Sequence, residues 1–475
     1  MSNLKDNDNS NVALKSGVWY VISSIIVKSV AIISTPIFTR LMTVSDFGTI
    51  SNFISWFSIL STFTTLNLGY SIGRAKLDFC GELNEYIGSM QILSAIFTGS
   101  LTCFCLVFLN YISCLLTLNK HLTILLLLYL LFSPIIGFVQ NGYRYEYKYK
   151  QNIAIAWYLS FSTAIFSVVF ILFLPVHKTV ARGLGIVVPN CLLSLFLWCK
   201  YLKKKSISFD IQYWKYGLLL SIPLIPHTIS MNVLGQSDRI VIARICGNSE
   251  TGIYSLVYSY GVIISVVTGA IADGWLPWFH DNYYARNYKS IEVNSRKIVL
   301  LGCYLGLASV SFAPEAILMF GGKSYMSGLS CAFPIILGIV CQYIYTHYVN
   351  IELHLKKTKY VSLGTSFAAL LNIVLNIVFV PKFGFVAAAY TTFISYFCLM
   401  VLHFFITRVI LKVYIYNTYF MFGSLFITSF FGYVITYSYQ HFLLRYIIII
   451  IGFCSCVFVF RDYVKSFIKN KVLHG

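Results

Sequence analysis

The sequence predicts an all-α polytopic membrane protein of about fourteen transmembrane helices: two six-helix bundles related by a pseudo-two-fold along the membrane normal, plus two extra carboxy-terminal helices. Three observations carry that expectation. Hydrophobic residues make up 58% of the 475 and charged residues 11%, against roughly 25% charge in a soluble domain, and the mean hydropathy is +0.76. Apolar runs of about 20 residues, the length needed to cross roughly 30 Å of hydrocarbon, fill nearly the whole chain. These runs lack the two-residue alternation of a membrane barrel, so helices are the remaining way to satisfy backbone polar groups in lipid.

In chain order, a polar tail, 1–16, is expected on the cytoplasmic side. The first run, 17–38, has no small-residue cleavage site and reads as a retained helix; it carries Lys28. Runs 48–72, 87–109, 122–140, 153–174 and 184–202 complete a first bundle spanning 17–202. The stretch 203–216, within "KYLKKKSISFDIQYWKY", is a basic linker. A second bundle, 217–407, comprises runs 217–245, 252–275, 298–320, 329–350, 361–380 and 384–407. Runs 418–438 and 442–460 lie in the remaining segment, 408–475, as two additional helices and a tail. Pro223 and Pro226, in "SIPLIP", remove backbone donors from the seventh run and predict a kinked or unwound helix, a plausible gate or hinge.

The net charge of +19 invites a nucleic-acid reading, and the placement of the charges excludes it. With the amino terminus inside, about 25 Lys and Arg fall in inner connections and about 8 in outer ones, the bias that sets both chain ends in the cytoplasm. The nine His and thirteen Cys show no metal-ligand spacing such as H-E-x-x-H or paired C-x-x-C. No metal site and no catalytic constellation is expected.

An internal repeat is visible. At an offset of 204, "RLMTVSDFGTIS" (40–51) lies over "RICGNSETGIYS" (244–255), matching Arg, Ser, an acid, Gly and Ser. At an offset of 201, "GLGIVVPNCLLS" (183–194) lies over "GFVAAAYTTFIS" (384–395). Six helices separate the copies, an even number, so both enter the membrane from the same side. Two such bundles can rock about a shared cleft, which is transporter architecture.

Charges inside the runs are the candidate site. Lys28 lies about a dozen residues into the first run, roughly 17 Å deep. Asp238 and Arg239 are adjacent in the seventh run and project about 100° apart, so they are not natural partners for each other. Each could lock to a neighbouring helix. The functional alternative sets Lys28 and Arg239 toward the cleft to hold an anionic guest, with Asp238 orienting a basic group or binding a coupling cation, proton or sodium. Arg40 and Arg244, related by the repeat, ring the outer mouth, and Arg74 at the inner end of the second run could meet a phosphate headgroup. Asp273, in "ADGWLPW", is the other candidate for cation coupling.

"SDRIVIARICGNSETGIYS" resembles the Asp-Arg, Gly, Gly-x-Tyr-Ser signature of polysaccharide repeat-unit flippases, in the multidrug, oligosaccharidyl-lipid and polysaccharide exporter superfamily. "TPIFTRLMTVSDFGTIS" (35–51) is similar to the family's first loop and "PEAILMFGGKSYMSG" (314–328) to its pattern after the ninth segment. The resemblance covers roughly 12–410. It implies an inner-membrane flippase carrying an undecaprenyl-pyrophosphate-linked oligosaccharide, such as an O-antigen unit, to the periplasmic leaflet by alternating access through a cationic cavity. Lys28 stands where related lipid II flippases hold an arginine, and Asp238 and Arg239 match the family's pair. A polysaccharide polymerase is a conceivable partner. Two other readings stand: a cation-coupled multidrug exporter of the same superfamily, and a membrane glycan polymerase or ligase, an enzyme whose outer catalytic loop these short connections do not supply.

Overall fold

The computed structural model describes residues 2–203 and 209–473; the predicted basic linker lies partly outside the described residues, at 204–208. The elements are helical throughout, running α1 (Ser2–Leu41), α2 (Val44–Thr64), α3 (Ile72–Asp78), α4 (Leu83–Val107), α5 (Leu109–Leu116), α6 (Lys120–Tyr145), α7 (Tyr149–Phe173), α8 (Lys178–Lys203) and α9 (Ile211–Ser221). They continue as α10 (Ile225–Ile245), α11 (Asn248–Tyr284), α12 (Tyr288–Ser311), α13 (Ala313–Gly321), α14 (Leu329–His354), α15 (Thr358–Phe383), α16 (Phe385–Phe405), α17 (Thr418–Tyr437) and α18 (Phe442–Leu473).

Among the described residues, twelve helical segments are long and apolar enough to cross a membrane, or thirteen counting α12 and α13 as one span bent by 59°. The chain is a multi-pass membrane protein. The expected fourteenth crossing corresponds to α2, 21 residues long but less apolar because Ser, Thr and Asn recur along it. Those polar groups have partners in the fold. Ser55 Oγ donates to Gln236 Oε1 at 3.0 Å, Asn232 Nδ2 to Thr62 Oγ1 at 2.9 Å and Asn67 Nδ2 to Thr228 Oγ1 at 3.3 Å. Together they lay a polar seam between the α2 region and α10.

The Pro-rich stretch breaks its helix as the sequence predicts. A single 3-10 turn, Ile222–Leu224, separates α9 from α10, with prolines at the first positions of the turn and of α10, where a missing N–H costs least. Other helix ends are closed by side chains from neighbours. The Thr64 carbonyl ending α2 accepts from Ser94 and Thr98 on α4, at 3.0 and 3.1 Å. The Leu116 carbonyl ending α5 accepts from Asn52 and Trp56 on α2, at 2.9 and 3.0 Å. In hydrocarbon an orphan carbonyl would cost several kcal/mol.

Two compact units are present, Met1–Ser255 with Ala369–Ala388, and Leu256–Ala368 with Ala389–Gly475. Within the first, the repeat appears as a physical contact. A Cβ on Gly48 would lie 1.8 Å from the Asn248 carbonyl, and one on Gly252 would lie 2.2 Å from the Val44 carbonyl. Asn248 and Val44 are themselves 204 residues apart, as are Gly252 and Gly48. The first turns of α2 and α11 therefore pack backbone to backbone, reciprocally, at the offset found in the sequence.

Gly252→Val is expected to lower the thermal midpoint of the detergent-solubilised protein by an amount equivalent to at least about 1–3 kcal/mol, the usual cost of overpacking. Gly99→Ala on α4, where nothing lies within 4 Å, is expected to leave it unchanged or raise it. Equal losses in both variants would contradict the close approach.

Candidate functional site

The seventh predicted run supplies the centre of the site. Asp238 on α10 is 1% exposed, yet no part of its carboxylate is left to apolar surroundings. The Tyr254 hydroxyl on α11 donates to Oδ2 at 2.5 Å, and Asn376 Nδ2 on α15 donates to Oδ1 at 2.7 Å. Asn376 Nδ2 also donates to Asn372 Oδ1 at 3.1 Å, which takes the Ser237 hydroxyl proton at 2.7 Å. Ser237, Tyr254, Asn372 and Asn376 are all buried. The result is a buried carboxylate that accepts from a hydroxyl and an amide, with a second amide and a hydroxyl one hydrogen bond further out.

Arg239 projects from the neighbouring position into a different environment. Its Nη1 donates to the Gly235 carbonyl, one turn back, and to Gln236 Oε1, both at 2.9 Å. Since Gln236 also accepts from Ser55, the guanidinium belongs to the polar seam between α10 and α2. At 8% exposure it is buried in this conformation.

Lys28 differs from both. It is exposed on α1, on a stripe with Ser24, Ala31 and Thr35 at helical spacing. α1 also exposes Trp19, Ile22, Ile25, Ile33 and Ile37; Ile25 lies roughly 60° around the helix from Lys28 and the others roughly 120–180°. The opposite flank packs on α7, where Ser160 Oγ reaches the Val27 carbonyl at 3.4 Å. The ammonium therefore shares a stripe with small and polar residues that Ile25 borders on one side. Among the described residues no side chain pairs with it.

The remaining predicted residues are spread out. Arg40 and Arg244 are exposed in the last turns of α1 and α10, each directly before a helix of the reciprocal glycine contact. Arg74, also exposed, is engaged: its Nε meets Asp78 Oδ2 at 3.1 Å. Asp273 is exposed on α11 within the second unit, apart from the Asp238 network. Pro223 and Pro226 occupy the α9–α10 break. Among the described residues no three His, Cys, Asp or Glu side chains gather as a metal site.

Several members of the site escape a reading of charges alone. Asn372 and Asn376 sit one turn apart in "AALLNIVLNIV", and two amides at i and i+4 in an otherwise apolar run were the available signal. Tyr254 is the tyrosine of the Gly-x-Tyr-Ser stretch, whereas Gln236 gave no signal.

A family model for polysaccharide biosynthesis proteins matches residues 13–283. No curated protein matches the chain. Among solved structures, a lipid II flippase, MurJ, in an inward closed conformation superposes with a TM-score of 0.71 at 16% identity, covering 94% of this chain and 100% of that one. An inward-facing multidrug resistance MATE family transporter of the MOP superfamily gives 0.61 at 16% identity, covering 82% and 98%. A MOP superfamily transporter from Pyrococcus furiosus, described as having a binding pocket of reverse polarity, gives 0.56 at 17% identity, covering 84% and 96%. At these identities the likeness establishes the fold.

Two outcomes follow from the site's geometry. Asn376→Ala leaves a buried Asp238 oxygen short of a donor and is expected to cost about 1–3 kcal/mol of stability, read as a lower thermal midpoint; an unchanged midpoint would contradict the network. Outside the spans, the hydroxyl of Tyr216 and the guanidinium of Arg74 hold the Asp78 carboxyl below its ordinary range. A carboxyl lowered by folding contributes stability above its unfolded value and loses that contribution as pH falls through the folded one. Hydrogen-exchange protection of α3 should accordingly be equal at pH 7 and pH 5 and fall only below about pH 4.

Proposed function

We propose, from the premise that this chain belongs to the polysaccharide biosynthesis protein family, that it is a flippase for an undecaprenyl-pyrophosphate-linked oligosaccharide repeat unit, of an O-antigen or a similar surface polysaccharide. It moves that unit from the cytoplasmic to the periplasmic leaflet by alternating access. The charge bias of the connections supports an inner-membrane protein with both ends in the cytoplasm.

The observation that carries this reading is Lys28: an exposed ammonium within a membrane helix that no side chain among the described residues pairs with. A charge at that depth costs about 3 kcal/mol or more against lipid. A watery chamber removes much of that cost, and an anionic headgroup removes more. Arg239 joins it when Gln236 releases the guanidinium, offering the planar fork that pairs two-pronged with phosphate. Arg74, exposed at the inner end of the second segment, meets the headgroup first by exchanging Asp78 for phosphate. Arg40 and Arg244 receive the cargo at the outer mouth. The work needs no covalent step, only a path of lower cost for a diphosphate and hydrated sugars.

Coupling falls to Asp238 more readily than to Asp273. Its carboxylate is the buried one, held by Tyr254 and Asn376 with Asn372 and Ser237 beyond them, so a proton or sodium ion would bind there by displacing a donor, and the prolines of the α9–α10 break let α10 move with its occupancy. A multidrug exporter is the second reading, favoured by the fold it shares with a multidrug transporter. An exporter of organic cations would present an open acidic group, whereas Asp238 is enclosed and the open group on α1 is cationic.

Lys28→Ala should abolish surface polysaccharide while leaving protein level and thermal midpoint unchanged, because the side chain has no structural partner to lose; Lys28→Arg should retain export. Arg239→Ala should also reduce polysaccharide, with a stability loss of about 1–3 kcal/mol from the broken seam. Wild-type polysaccharide in Lys28→Ala would overturn the cationic-chamber reading, and sensitisation of a deletion strain to cationic dyes with intact surface glycan would favour the exporter.

A further inference from the structure

The second unit encloses an acid–base pair that the flippase reading does not use. Glu352 lies near the end of α14 and His403 near the end of α16, and His403 Nδ1 and Glu352 Oε1 are 2.7 Å apart. Both side chains are 0% exposed. Their outer atoms, Glu352 Oε2 and His403 Nε2, are also buried and have no hydrogen-bond partner among the described residues. Nε2 looks onto the backbone of α15 at Gly364, where a Cβ would stand 2.7 Å from it. The Tyr345 ring stacks beside the imidazole at 5.7 Å.

The other titratable and charged groups on the surrounding elements are engaged elsewhere or lie beyond the pair. On α14 these are His347, whose ring meets Trp275, Tyr343 and Tyr416; Tyr348, whose ring meets Phe404 and Tyr416; and His354, paired through Nδ1 with His280 at 2.8 Å. Lys359 at the start of α15 lies over the ring of its neighbour Tyr360. Arg408, five residues past His403, turns to the Tyr416 carbonyl and the Thr418 hydroxyl.

With imidazolium and carboxylate together the pair is neutral. A further proton would leave a net positive charge in an apolar enclosure, and removal of one a net negative charge, each costing several kcal/mol. The pair is therefore restricted to one exchangeable proton, and exchange requires water. Glu352 lies two residues before the end of α14, about 3 Å of helix rise, and His403 two before the end of α16, which a π-turn, Ile406–Ile410, extends. Gly364 leaves no side chain between the α15 backbone and Nε2. A small displacement of α15 from α16 would wet Nε2 while Nδ1 stayed bonded to Glu352.

We propose that Glu352 and His403 form a proton-binding site that loads and releases one proton as α15 and α16 separate, distinct from the Asp238 carboxylate of the first unit. In the loaded form both imidazole nitrogens are protonated. On release, Nε2 gives its proton to water, forming hydronium, while Nδ1–H keeps its bond to the carboxylate; net charge passes from zero to −1, and the reverse step reloads it. The charge bias that sets the chain ends in the cytoplasm places this exchange on the cytoplasmic side. Its place in a transport cycle rests on the transporter reading, whereas the proton exchange does not.

The test is pH-difference infrared spectroscopy of the full-length chain in phosphatidylethanolamine–phosphatidylglycerol liposomes, titrated from pH 9 to pH 5. The wild type should show an imidazolium ring signal that disappears in His403→Gln. In Glu352→Gln, where the carboxylate no longer favours the charged ring, its midpoint should move down by more than one pH unit. Where Glu352→Gln does not fold, Gly364→Ala serves: its methyl crowds Nε2 and should shift the same midpoint, with Gly99→Ala as an unshifted control. A wild-type spectrum indistinguishable from that of His403→Gln, or an unmoved midpoint in the folded variants, overturns the proposal. No cargo enters the measurement, so it fails or succeeds separately from the polysaccharide test at Lys28.

Discussion

A buried carboxylate in an apolar helix must be given donors by the protein, because lipid has none to offer, and the way Asp238 meets that requirement organises the first unit. One donor comes from Tyr254, sixteen residues on along the chain, and the other from Asn376, 138 residues on. The second matters more for the fold. Residues Ala369–Ala388 belong compactly with Met1–Ser255 although more than a hundred residues of the other unit intervene, and Asn372 and Asn376 are the polar groups they bring. Without Asp238 those two amides would lose a buried partner at 0% exposure; without Asn376 the carboxylate would lose one of its donors. Each makes the other's burial affordable.

The same requirement explains how the repeat is built into the structure. Two helix starts approach backbone to backbone at Gly48 and Gly252, a distance only glycine permits. Around that contact the copies have diverged in side chains but not in placement: Arg40 and Arg244 in the turn before, Asp46 and Glu250 in the first turn after. Charges in those turns are favourably placed against the helix dipoles, basic at the carboxy-terminal end and acidic at the amino-terminal one. A duplication thus keeps its glycines for steric reasons and its end charges for electrostatic ones.

Composition and run length made the all-helical membrane class and nearly every span legible, since lipid restricts the backbone to so few options. The Pro223–Pro226 break was legible for a similar reason, a missing N–H being a local fact. The expected run 48–72 meets α2 at Val44–Thr64, which hydropathy does not distinguish well because its polar groups answer a partner helix. Site membership was legible only for charges. Lys28, Asp238 and Arg239 stand out in apolar runs, whereas Asn372, Asn376, Gln236 and the pairing of Glu352 with His403 depend on which helix faces which, and that is decided by tertiary packing.

The intramembrane charges divide by how their cost is met. Asp238 is met by neutral donors on two other helices, Arg239 by a carbonyl of its own turn and by Gln236, and Glu352 by His403. In each of these the protein itself supplies the compensation, so the charge is stable without any guest. Lys28 has no such arrangement among the described residues. A lysine suits a moving anion better than an arginine would, because a compact ammonium on a flexible stem can follow it without holding it in one geometry. The enclosed guanidinium and the exposed ammonium thus differ in what meets their charge, the one a carbonyl and an amide of the protein, the other no side chain among the described residues.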